Sequence, residues 1–103
     1  MALAFNATGG RGCISVTANV APKLCAEFQA ACLAGDYAKA LDYQDRLFPL
    51  HVALFTDASP GPVKYALSRV RSDLPRTLRL PMTWPGEASQ RAVDAALEVA
   101  GLL

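Results

Sequence analysis

The stretch "GCISVTANVAP", residues 12–22, constrains this chain more than any other. Cys13-Ile14-Ser15-Val16-Thr17 is rich in β-branched side chains and too short for a helix, so it reads as one strand. It is apolar enough to be buried on both faces, as strands of parallel sheets are. A strand also needs partners for its backbone N–H and C=O groups on both sides. No other segment supplies them, because everything downstream reads as helix. The sequence therefore predicts the last piece of a β–α architecture, with the strand's neighbours outside these 103 residues.

The helical reading rests on spacing and punctuation. Residues 2–7 resemble the tail of a helix, stopped by the Thr8-Gly9-Gly10 turn. Pro22 suits the first position of the next helix, whose Leu24, Phe28, Ala31 and Cys32 share one face. Gly35 ends it and Asp36 caps its successor. Residues 37–55 carry Leu41, Leu47, Phe48, Leu50, Val52, Leu54 and Phe55, a set that predicts burial on several sides. Pro49 is expected to kink this helix, and Asp42 with Arg46 to form a solvated i,i+4 pair. After a break at 57–61, Pro62 opens a helix with Val63, Ala66, Leu67 and Val70 inward. Residues 72–86, with Pro75, Pro81 and Pro85, form an extended connection. The last helix spans about Glu87 to Ala100, buries Val93, Ala96, Leu97 and Ala100, and stops at Gly101. The count is about five helical segments and one strand.

Composition bears on partners and compartment. The chain is 52% hydrophobic with a mean hydropathy of +0.21, more apolar than a small soluble fold needs, which points to a large interface or an incomplete fold. A net charge of +1 and a pI near 7.7 give no field to attract nucleic acid or anionic lipid. No apolar run is long enough to cross a membrane. The start, MALAFNATGG, has neither the basic nor the apolar region of a signal peptide. Cys13, Cys25 and Cys32, an odd number without C-x-x-C spacing, read as free thiols of a reducing, cytoplasmic compartment.

Few residues offer chemistry. His51 is the sole histidine, so a His-rich metal site is excluded, and no G-x-S-x-G elbow accompanies it; it is expected to pack or cap within its helix. Cys25 and Cys32 lie seven residues apart on one helix, roughly 10 Å, too far for a disulfide. TGGRG precedes a strand, whereas phosphate loops follow one. Arg69, Arg71, Arg76 and Arg79 have no interleaved aromatics and read as a solvated face or subunit contact. The three lysines, Lys23, Lys39 and Lys64, all fall in helices and read as solvated side chains.

"GGRGCISVTANVAP", "LFPLHVALF", "SPGPVKYAL", "TLRLPMTWP" and "ALEVAGLL", in this order, resemble the C-terminal part of the dihydrodipicolinate synthase family. These are pyruvate-dependent Schiff-base lyases built on a (β/α)8 barrel. The resemblance implies an α/β fold class by family and a predominantly α-helical chain here. Residues 1–34 would be the end of the barrel (tail of helix seven, strand eight, helix eight), and residues 35–103 a C-terminal helical extension. It implies condensation of pyruvate with aspartate semialdehyde in lysine biosynthesis, through a lysine, a tyrosine and a threonine on earlier strands, so this chain holds no catalytic residue, no cofactor and no metal. Ile14 would contact pyruvate by main chain in an intact barrel. Ser59 stands where the family's N-P-x-P-V-K motif has Asn, keeping a hydrogen-bonding group and a helix cap near the active-site entrance. The open strand edge implies a homo-oligomer. Two other readings stand beside this one. "ACLAGDYAKALDYQDRLFPL" resembles one tetratricopeptide hairpin of an interaction module, although nothing recurs 34 residues after Gly35. The other is a truncated gene product without an independent role.

Overall fold

The computed structural model describes residues 1–103. Five α-helices follow in order: α1 (Ala2–Ala7), α2 (Pro22–Leu33), α3 (Tyr37–Ala53), α4 (Gly61–Val70) and α5 (Glu87–Ala100), with a 3-10 turn at Thr17–Asn19. Helix α3 is the centre, packing against α2 on one side and α5 on the other. Helix α4 packs on α5, and α1 rests against α2 and α3. The body is elongated, 42 × 25 × 24 Å.

The punctuation acts as its chemistry demands. Asp36 accepts a hydrogen bond from the Lys39 backbone N–H at 3.1 Å, satisfying an orphan donor of α3. Gly101 takes a left-handed conformation, φ 75°, which ends α5. There the Leu102 N–H returns to the Leu97 carbonyl at 2.9 Å. Arg46 departs from expectation. Its Nη2 donates to the Ala100 carbonyl at 2.9 Å, fastening α3 to the C-terminus of α5, rather than pairing with Asp42. A cation at a helix C-terminus meets both an orphan carbonyl and the negative end of the dipole. Pro49 does not interrupt α3, which runs through it to Ala53.

The core follows from α3's register. Leu47, Leu50 and Leu54 are fully buried and meet Val93 and Leu97 of α5 within one apolar cluster. Ala40, Ala53, Ala66, Ala96 and Ala100, also buried, have side chains small enough for helices to approach closely. The predicted inward faces of α2 and α5 are all buried. On α4, Val63 and Ala66 are buried as expected, and Tyr65 joins them. The Tyr65 hydroxyl donates to Asp94 at 2.9 Å, Arg69 Nε donates to the other carboxylate oxygen at 2.8 Å, and Trp84 packs edge-on against the Tyr65 ring. This cluster ties the 72–86 connection and α4 to α5.

Two further expectations fail, and both failures have one cause. Residues 12–16 form no ladder, and the chain contains no strand; the segment ends in the 3-10 turn that begins at Thr17. A strand is a paired structure, and nothing in these 103 residues offers a pairing edge. Likewise α3 is not buried on several sides. Phe48, Val52 and Phe55, spaced i, i+4, i+7 along one face, are more than half exposed, as is Ile14 beside them.

Candidate functional site

The face left open by α3 is the candidate site. A cleft of about 360 Å³ lies between the start of the chain, residues 13–17 and the outer face of α3, lined by Ile14, Val16, Thr17, Phe48, His51 and Phe55 among others. A second cavity of about 270 Å³ continues it toward α2, where Cys13, Cys25 and Gln29 join His51. Both are predominantly apolar with a few polar groups at their walls, the usual make-up of a recognition site.

Thr17 holds this region together. It is buried, and its Oγ1 lies 2.6 Å from His51 Nδ1, a hydrogen bond spanning 34 positions of sequence. The histidine thus links two parts of the fold instead of capping its own helix. Burial, aided by the positive chain terminus, pushes the His51 imidazole below its ordinary pKa and favours the neutral ring. Around it the contacts are weaker. Gln29 Nε2 donates to Cys13 Sγ at 3.5 Å, and the Ala18 N–H donates to Ser15 Oγ at 3.2 Å. Burial raises the Cys25 thiol, Cys13 adds to the shift, and a hydrogen bond from Ser15 opposes it. All three cysteines are free.

The predicted site residues separate. Ile14 reaches the cleft, with its side chain fully exposed. Ser59 does not: it lies exposed in the break before α4, lines neither cavity, and leaves α4 without a side-chain cap. The helix starts at Gly61, behind Pro60, too late for Ser59 to serve as N-cap. Lys23, Lys39 and Lys64 are all exposed, so no lysine sits in desolvated surroundings. No group of His, Cys, Asp and Glu is placed to hold a metal ion, and no helix is long and apolar enough to cross a membrane. Of Arg69, Arg71, Arg76 and Arg79, the first two are paired, with Asp94 and Asp73. Reasoning from the sequence missed the Thr17–His51 bond. The two residues carry no shared motif, and only the packing of α3 against the end of the 12–16 segment joins them.

An apolar face beside an unpaired segment of strand-like sequence marks a piece of a β/α assembly. Comparison with known proteins agrees. The model of the dihydrodipicolinate synthetase family matches residues 1–100, and the chain belongs to that family. The 4-hydroxy-tetrahydrodipicolinate synthase of Rhizorhabdus wittichii is 72% identical over 99% of this chain and 35% of its own length. That of Zymomonas mobilis is 64% identical over all of this chain and 35% of its own. Among solved structures, dihydrodipicolinate synthase from Thermotoga maritima superposes with a TM-score of 0.90 at 36% identity, covering 98% of this chain and 34% of that one. The chloride-inhibited Acinetobacter baumannii enzyme, solved with pyruvate, gives 0.90 at 35% identity, covering 99% and 35%. The chain therefore spans about a third of the length of the relatives it matches. Its fold is the helical part of a barrel family, seen here without strands.

Proposed function

We propose that this chain is the C-terminal part of a cytoplasmic lyase that condenses pyruvate with aspartate semialdehyde, and that alone it does not catalyse the reaction. The observation that carries this reading is the open face of Ile14, Phe48, Val52 and Phe55 beside the unpaired 12–16 segment, in a chain that matches a synthase family almost end to end. Such a face fits the remaining barrel strands and helices, which would pair the segment and cover the apolar side chains. Phe48, Val52 and Phe55 have about half of their surface left to bury and Ile14 all of it, so covering this face contributes on the order of a few kcal/mol toward holding such a body in place. In that assembly Ile14 offers pyruvate its main chain, and the reactive lysine comes from the barrel. Residues 1–34 complete the barrel and residues 35–103 brace it, and the assembled protein is a homo-oligomer.

A chimera tests the proposal. Residues 1–103 replace the matched third of the Rhizorhabdus wittichii synthase, and condensation is assayed against the chain alone. The chimera is expected to condense both substrates and the chain alone to be inactive. An inactive, well-folded chimera, or an active lone chain, overturns the reading.

A further inference from the structure

The Thr17–His51 bond satisfies a buried hydroxyl and ties the 12–16 segment to α3, a helix that Leu47, Leu50 and Leu54 already anchor in the core. Its position suggests a further role. Thr17 lies three residues beyond Ile14, at the point where the irregular 12–16 segment meets the first turn of regular structure. Thr17 is also the most buried residue between Gly10 and Val20. The other side-chain ties on that segment are a long contact to sulfur and two local turn bonds, the Ala18 N–H to Ser15 Oγ and the Asn19 side-chain amide to the Val16 carbonyl. His51 lines both cavities, so it stands where the segment, α2 and α3 converge.

We propose that His51 is a positioning residue: through Nδ1 and the Thr17 hydroxyl it fixes the end of the 12–16 segment, and with it the main chain of Ile14 that meets a small 2-oxo acid. This rests on the reading of function above, in which Ile14 meets pyruvate by main chain. The chemistry of the contact makes it specific. A hydrogen bond to Nδ1 is reproduced by an asparagine, whose amide falls close to that ring position. A glutamine amide falls close to Nε2 instead and leaves Thr17 unpartnered. A buried hydroxyl without a partner costs more than the bond itself was worth, so the segment shifts to find water.

The test uses the chimera described above. In H51L, kcat/KM for pyruvate is expected to fall roughly fivefold, the loss of one net hydrogen bond. KM carries most of that loss, and KM for the aldehyde is unchanged. T17V should match it, and the H51L/T17V double variant should be no worse than either, because both remove the same bond. H51N should restore near-normal KM while H51Q does not. Equal rescue by H51Q, or an unchanged KM in H51L, overturns the proposal. The 103-residue chain supplies an independent readout. The Ile14 and Thr17 backbone amide resonances should move in H51L and hold in H51N, and no movement in H51L also overturns it. If the unsubstituted chimera were inactive, the functional reading would fail, and these resonances would still decide whether His51 holds the segment.

Discussion

Leu97 and Val99 lie on the same helix, two residues apart, and their contrast measures how the core is built. Leu97 is fully buried between α5 and α3, whereas Val99 is 56% exposed on the outer side. Leu97→Ala removes three carbons from a site with no access for water, and the neighbouring Leu50, Leu54 and Val93 are themselves fully enclosed and poorly placed to collapse inward. The expected loss is about 3 kcal/mol, within the 2–5 kcal/mol common for such truncations. A chain of this size has a total stability of about 5–15 kcal/mol. The midpoint of thermal unfolding should therefore fall by at least about 12 °C, at roughly 4–8 °C per kcal/mol. Val99→Ala should cost under about 0.5 kcal/mol. Urea titration followed by circular dichroism reads both, at constant m-value. Equal small losses for the two variants would mean that α5 does not pack as described, and the reasoning from burial would be refuted.

Other outcomes follow from single contacts. Stability should decline as pH falls below about 6.5, where the imidazole of the unfolded chain takes a proton that His51 in the fold resists, and the decline should level off below the lowered folded pKa. His51→Asn should remove that part of the pH dependence in chemical denaturation series. Arg46→Met should lose the bond to the Ala100 carbonyl and fray the end of α5, lowering stability by about 0.5 kcal/mol at this exposed site, with faster amide exchange at Gly101 and Leu102 as its signature. The lone chain should also self-associate through Ile14, Phe48, Val52 and Phe55, and sedimentation should show Phe55→Glu shifting it toward monomer.

The helices were legible because their signals are local. Asp36, Gly35 and Gly101 mark boundaries by their own conformational chemistry, and the faces of α2 and α5 repeat at helical spacing. What failed depended on partners. Cys13 to Thr17 has strand composition, but composition cannot supply a neighbouring strand. The stripe Phe48, Val52, Phe55 has the sequence of a core and, in this chain, the exposure of a surface. Asp42 and Arg46 stand at an ideal spacing, yet an orphan carbonyl at the end of α5 offers Arg46 a better acceptor than a solvated carboxylate does. The candidate site was half visible. Ile14 could be named from its motif, but His51 joins it only through the tertiary approach of α3, and the sequence separation of 34 residues hides that pairing.

We propose that the reactive lysine lies outside these residues while the chain completes the site that uses it. Borohydride reduction in the presence of pyruvate, followed by peptide mass spectrometry, tests it directly on the lone chain and on the chimera. No adduct is expected on the lone chain, and in the chimera a single reduced pyruvate adduct is expected on a barrel lysine. A stoichiometric adduct on Lys23, Lys39 or Lys64, in either protein, would contradict it.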